Sequence, residues 1–481
     1  MLKLILRQAN WGILGAIFGF SIGFFVKIYL IDIVGLTAWG KYVTVQTFIS
    51  ISETFLSIGI PYVIIKFIPS FVENNKDKAS RVANVFLKYA VVIGVGYLVI
   101  VYFLSSHINH FVYSDIDDLS WLLFIMCIHV PISMLFGVVI SLYRSVLKIK
   151  EIVLYGTVVT VTVRAILTFI IFQFTDDIGH FILLEVFTQI LVLSILLFLF
   201  NKNEFSLFVK SDAKEVIRDA KMVDYGKKMF YNSVVAFISA QALSFIISIK
   251  LPSADVGAYN ILLTLTGLTT FLLINLNKVF APAISKLHHE KNFIELNDLY
   301  KKTTFLLNLF AIPLAVIIAI FSDEILGLYT AEMLMYKKYL FYMLVGGMLS
   351  LAAGSSGTFM VMAGLEKHNL KLQLIRAILL IFLSLWFIPI IGLLSVVGLY
   401  VVFMLFINGA QLIYIGKYLQ ISPFSKELFL LFGLTVIVMY FAINQEFVFQ
   451  IYHFIVVPIF VYVCYFGLLF QPLKRLVKEI L

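Results

Sequence analysis

The chain has 481 residues, 62% of them hydrophobic and only 13% charged. That is more apolar surface than a soluble core of this size can bury, so a polytopic, all-α membrane protein is indicated and a soluble enzyme is excluded. A formal net charge of +9 would suggest nucleic acid in a soluble chain, but the basic residues here cluster in loops between apolar stretches, where they report topology.

Met1 to Asn10, with Lys3 and Arg7, has the positive flank of a signal peptide. The apolar run that follows is too long and lacks a small-x-small cleavage site, so it reads as an uncleaved first span. Windows of about 20 apolar residues place spans near 9–33, 42–70, 81–104, 119–142, 152–174 and 179–200. After a basic, polar connector, six more fall near 225–249, 258–285, 301–321, 336–363, 371–390 and 392–416. Two last ones, near 427–444 and 451–471, precede the basic tail Lys474-Arg475-Leu476-Val477-Lys478. The expected organisation is fourteen helices: a six-helix lobe over 1–200, a linker over 201–224, a second six-helix lobe over 225–416, and two extra helices with the tail over 417–481. In the linker, Asp212-Ala213-Lys214-Glu215 has a capping-box pattern, predicting a short amphipathic helix from Ala213 to Met222 on the inner surface. A plain tether explains the same residues.

Two stretches resemble each other. From Arg7 to Pro69, two apolar helices are joined by Gly35-Leu36-Thr37-Ala38-Trp39-Gly40-Lys41-Tyr42; past mid-chain, two more are joined through Gly257-Ala258-Tyr259, the second carrying Pro282. Such internal duplication is how membrane transporters commonly build a path between repeats. Orientation follows from charge. Of the 36 Lys and Arg, 30 fall on the side that holds both termini, four (Lys41, Lys250, Lys337, Lys338) on the other, and Lys27 and Arg164 inside the membrane. The sparse side also carries the acidic turns at Asp115–Asp118, Asp176-Asp177 and Asp323-Glu324, so both termini are expected to be cytoplasmic.

A charge in the bilayer costs about 2.5–3.5 kcal/mol on insertion scales and needs a partner or a water-filled cavity. Lys27, Glu53, Arg164 and Glu185 are the clear cases, with Glu53 and Arg164 expected near the midplane. Lys27 with Glu53, and Arg164 with Glu185, are close enough in depth to form two buried ion pairs. The other reading is a charged, hydrated path with a base free for an anion. Lys66, Lys278 and Arg376 lie near inner helix ends, either snorkelling to the interface or forming a basic mouth suited to phosphate. Gly15, Gly19 and Gly23 form a G-x-x-x-G-x-x-x-G run that marks a packed or sliding helix face. Cys127 and Cys464 read as inert packing residues. Gly35 to Lys41 matches G-x-x-x-x-G-K, but Tyr42 stands where Ser or Thr is required and no strand precedes it, so no nucleotide site is expected. His107, His110 and Asp115 make a weak metal pattern in one short turn, and His129 reads as a polar group in a helix interface. No cofactor and no catalytic set is indicated.

The Gly35-x-x-x-x-Gly40-Lys41-Tyr42 pattern, its echo at Gly257-Ala258-Tyr259, the Pro282-Ala283-Ile284-Ser285 helix ending and fourteen spans together resemble the polysaccharide flippases, the O-antigen type, lipid-linked oligosaccharide branch of the multidrug/oligosaccharidyl-lipid/polysaccharide exporter superfamily. The resemblance implies two six-helix lobes arranged as a V, and alternating access that carries an undecaprenyl-pyrophosphate-linked glycan across a bacterial inner membrane. It implies membrane lipid, a coupling ion (proton or sodium) and a polysaccharide polymerase or glycosyltransferases as partners. It also implies a cationic cavity onto which Lys27, Arg164, Lys278 and Arg376 map, while Glu53 and Glu185 depart from a purely basic lining. A proton- or sodium-coupled multidrug antiporter of the same superfamily is the alternative.

Overall fold

The computed structural model describes residues 2–114, 116–211, 219–443 and 453–468, and all regular structure among them is helical. It opens with α1 (Leu2–Leu56), broken at Gly35 by φ 82° and ψ 166°, a conformation that suits glycine alone. Lys27 reaches within 5.3 Å of the Trp39 ring. On a straight helix these positions would lie about 18 Å apart along the axis, so the two arms of α1 bend toward each other at Gly35. Gly59, left-handed at φ 71°, ends the second arm, and α2 (Ile60–Asn74) starts with Pro61 in its first turn, where a missing N–H leaves no bond unmade.

Asn75 caps α3 (Lys76–Val112), accepting from the Lys78 N–H at 3.0 Å. Next come α4 (Leu119–Cys127) and α5 (His129–Ser145), separated only by Ile128. The following helix is composite: α6 (Ile149–Val153), a π-helical stretch over Leu154–Val159, and α7 (Thr160–Ile171). Asp177 caps α8 (Ile178–Asn203) through the Gly179 N–H at 2.8 Å.

Beyond the connector lie α9 (Ala220–Lys250), α10 (Ser253–His289), α11 (Phe293–Ile320) and the short α12 (Ser322–Gly327). A 3₁₀ turn over Ala331–Tyr336 leads into α13 (Lys337–Leu351) and α14 (Ser356–Met362). The chain continues through α15 (Glu366–Ile391), α16 (Leu393–Leu419), α17 (Lys426–Ile443) and α18 (His453–Leu468). Among the described residues nine helices are long and apolar enough to cross a membrane. The capping box at Asp212 and the basic tail from Lys474 lie outside the described residues. The described part of the connector, 205–211, is not helical: its Leu207 carbonyl accepts from Asn84 Nδ2 at 2.7 Å, which pins it to α3.

Contacts divide the chain into two compact units, Met1–Gly257 and Ala258–Leu481. In the first, a Cβ on Gly15 would come within 2.5 Å of Val153 and one on Gly19 within 2.9 Å of Thr157, whereas Gly23 has open space. The glycine run is therefore a packed face over its first half, set against the start of the π-helical stretch. The two look-alike stretches also meet: a Cβ on Gly40 would collide with the Ser253 carbonyl, and one on Gly257 would lie 2.6 Å from the Leu36 oxygen. Two glycines thus let the second arm of α1 cross the start of α10 backbone to backbone.

The second unit is built around a broken helix. Between α13 and α14, Gly354 is left-handed at φ 59° and leaves no room for a side chain beside Thr304. The break frees carbonyls that membrane interiors do not tolerate unpaired. Asn308 Nδ2 donates to Leu351 O at 2.8 Å and the Tyr300 hydroxyl to Ala353 O at 2.7 Å, both from α11. Tyr300 also stacks on Phe359 at 3.9 Å between ring centres.

Candidate functional site

The four charges that the sequence sets within apolar stretches of the first unit fall into three settings. Arg164, on α7, donates from Nη1 to Glu185 Oε1 at 2.6 Å and from Nε to the Thr188 hydroxyl at 3.4 Å. The other Glu185 oxygen accepts from the Tyr42 hydroxyl at 2.9 Å. Glu185 and Thr188 sit one turn apart on α8, which is why a single arginine meets both. Glu185 is buried, while a quarter of the Arg164 side chain is exposed. Two of the five N–H donors of the guanidinium serve Glu185 and Thr188, so the group can compensate a carboxylate on one side and still face a second anion on the other.

Glu53 lies one turn before the end of α1, with Oε1 3.4 Å from His129 Nδ1. Ser133 Oγ lies 2.8 Å from that same ring nitrogen, and Gln189 Nε2 donates to Ser133 Oγ at 3.0 Å. The polar chain Glu53–His129–Ser133–Gln189 therefore ties α1, α5 and α8 together beside a cavity of about 110 Å³ lined by Glu53, Ser57, Tyr89 and Ser133. Next to it, the Tyr97 hydroxyl donates to Ser52 Oγ at 2.7 Å. His129 is a polar group in a helix interface, as its setting in the sequence suggests. Lys27 has the third setting, half-buried with its ammonium over the face of Trp39, an arrangement that offsets part of the cost of burial.

In the second unit, Arg376 on α15 lies near Tyr259 and Tyr400, donates to Gln373 Oε1 at 3.4 Å, and has a buried Nε with no partner. Lys278 is on α10, but its side chain lies outside the described residues. The same unit holds a neutral network that no local sequence pattern announces. Ser356 Oγ donates to Gln411 Oε1 at 2.7 Å, Gln411 Nε2 to Asn369 Oδ1 at 2.8 Å, and Asn408 Nδ2 to Ser350 Oγ. It spans the helix break and joins it to α15 and α16. Sugars are recognised by neutral donors and acceptors of this kind, and the same groups also stabilise helix contacts.

Tyr42, Thr188, Ser133 and Gln189 were likewise not singled out as site residues. Tyr42 stands in the sequence as part of the Gly35 to Tyr42 pattern with no role of its own, and it lies 143 residues from its carboxylate partner.

The sequence family described as polysaccharide biosynthesis protein matches residues 33–338, more than half of the chain. No curated protein sequence matches it. Among solved structures, the lipid II flippase MurJ in an inward closed conformation superposes with a TM-score of 0.75 over 97% of this chain and 100% of its own, at 15% identity. An inward-facing multidrug resistance MATE family transporter of the MOP superfamily gives 0.64 over 82% of this chain and 98% of its own, at 13% identity. A MOP superfamily transporter from Pyrococcus furiosus gives 0.57 over 87% and 96%, at 14% identity. The chain shares its fold with these structures, and the sequence match over 33–338 shows that it belongs to the family described as polysaccharide biosynthesis protein.

Proposed function

We propose that the protein is a flippase that carries an undecaprenyl-pyrophosphate-linked oligosaccharide from the cytoplasmic to the outer leaflet by alternating access. The observation that carries this reading is joint: the polysaccharide biosynthesis family over 33–338, and a flippase fold that accounts for 97% of the chain. A pyrophosphate bearing sugars cannot cross hydrocarbon, so it needs a polar path while its prenyl tail stays in lipid. The intramembrane charges of this chain suit such a headgroup. Arg164 and Lys27 in the first unit, and Arg376 and Lys278 in the second, are the bases assigned to the pyrophosphate, with Glu53 and Glu185 setting the local balance of charge. Outward movement of about two negative charges across an inside-negative membrane is favoured by about 2.3 kcal/mol per charge per 100 mV.

On this reading the chain crosses a bacterial inner membrane fourteen times with both termini cytoplasmic. Lobes 1–200 and 225–416 are joined by the linker 201–224, and 417–481 adds two helices and the tail. The multidrug antiporter is the second reading, favoured by the MATE match and by the acid Glu53 in its small cavity. Against it, the MATE chain is covered almost completely with nearly a fifth of this chain left over. Depletion of the protein separates the two. A flippase leaves lipid-linked oligosaccharide accumulating on the inner leaflet; an antiporter leaves that pool unchanged and the cell more sensitive to organic cations, which would overturn the flippase reading.

A further inference from the structure

A large apolar groove in the first unit borders the cavity beside Glu53, sharing Ile60 and Tyr89 with it. It encloses about 490 Å³ between the start of α2, the middle of α3 and the first turns of α9. Its walls come from Ile60, Val63, Phe86, Ile93, Met222 and Val223, and its lining carries two ammonium groups, Lys88 and Lys227, with no carboxylate among the described residues that form it. Both lysines are exposed. Among the described residues Lys88 donates to a neutral group, Ser211 Oγ at 3.2 Å, and Asp224, the acid nearest to Lys227 in the chain, is taken by Lys228 at 2.8 Å. An apolar slot under a pair of cations, with no carboxylate among its described lining residues, has the form of a binding site for an apolar chain that ends in an anion.

Depth agrees with this. From Lys88 to the end of α3 at Val112 is about 36 Å of helix, and from Lys227 to the end of α9 at Lys250 about 35 Å, against a hydrocarbon thickness of about 30 Å. The far ends of these two helices lie together, because the Tyr113 hydroxyl lies beside Ser248. With those ends at one membrane surface, Lys88 and Lys227 stand at headgroup level of the opposite leaflet, and the groove can receive a chain from that leaflet. Its volume falls in the range of small-molecule sites, about 300–1,000 Å³, which suits one acyl chain and not the several-fold longer undecaprenyl chain.

We propose that this groove is a site for an anionic glycerophospholipid of the membrane, one acyl chain between α2, α3 and α9 and the phosphate held by Lys88 and Lys227. The lipid would then brace α9 against α2, which already touch so closely at Gly59 that a Cβ there would lie 2.5 Å from the Gly226 oxygen. The site is independent of what the protein transports.

The test is native mass spectrometry and thermal stability of the full-length protein, delipidated and then given phosphatidylglycerol or phosphatidylcholine. The wild type should keep one phosphatidylglycerol in preference to phosphatidylcholine and melt at a higher temperature with it. Lys88→Gln with Lys227→Gln should lower phosphatidylglycerol affinity by about 30-fold, as expected for two lysines near an anionic headgroup, and abolish the preference. Val92→Trp, from the exposed rim, should block the groove with both lysines intact. Equal retention of the two lipids by the wild type, or unchanged phosphatidylglycerol binding in either variant, would overturn the proposal. So would displacement of phosphatidylglycerol by equimolar undecaprenyl phosphate, which would give the groove to a transported lipid instead.

Discussion

Arg164 and Glu185 are 21 residues apart in the chain and 2.6 Å apart in the fold, and Glu185 has no solvent to fall back on. Removing the arginine alone leaves a buried carboxylate whose remaining side-chain partner is the Tyr42 hydroxyl, a loss of about 3–5 kcal/mol. Arg164→Ala should therefore reach the membrane at reduced abundance, and Arg164→Ala with Glu185→Ala should regain it. Transport then reports the second role. If the exposed edge of the guanidinium also meets the pyrophosphate, the double variant will be abundant but inactive, and Arg164→Lys will keep part of the activity. Full transport by the double variant would reduce Arg164 to a structural ion. Abundance by immunoblot and flipping in reconstituted vesicles measure the two separately.

Among the elements, the crossing of α1 and α10 has the least tolerance. The two helices meet through Gly40 and Gly257, and a methyl group at Gly40 would overlap the Ser253 carbonyl, which is backbone and cannot rotate away. Gly40→Ala should cost at least about 3 kcal/mol, at the upper end of overpacking penalties. Gly23→Ala, with open space around it, should change stability by no more than about 1 kcal/mol and in the favourable direction. Melting temperatures of the two purified variants check this ranking; equal values would mean that the crossing opens without cost. Gly19 is intermediate, because its neighbour is the Thr157 methyl. Its partner surface continues the π-helical stretch Leu154–Val159, where the backbone repeat is already irregular and a small sliding movement meets less resistance than in a regular α-helix.

At the scale of the whole molecule, topology is the property that every other assignment rests on. On the proposed fourteen-span topology, with the lysines and arginines sorted to the cytoplasmic side, reporter fusions after Lys150, Lys221, Lys291 and Lys478 should be cytoplasmic, and fusions after Asp118 and Asp177 external. An external signal at Lys221 would leave an odd number of crossings in the first part of the chain and break the duplicated-lobe organisation.

Much of this was legible in one dimension. Membrane class, an all-α fold and the presence of charges within the apolar spans follow from windows of about 20 residues, since hydropathy is a local property and lipid leaves the backbone little choice but helix; the breaks at Gly59, Ile128 and Gly354, inside windows that read as single spans, do not. The Arg164–Glu185 pair was legible as one of two alternatives, because its partners lie on consecutive helices. Contacts between segments distant in the chain were not. Nothing near Glu53 in the sequence names His129 as its neighbour, and nothing near Tyr42 names Glu185. Likewise, Gly40 and Gly257 were recognised as copies of one pattern, but that they pack against each other is a fact of assembly. The break at Gly354 reads as a continuous apolar span until Asn308 and Tyr300 are seen holding its carbonyls. Composition determined that this chain enters the membrane and with which charges; only the packing of helices decided which charges and carbonyls are satisfied there, because a partner for a buried polar group comes from whichever helix lies alongside it.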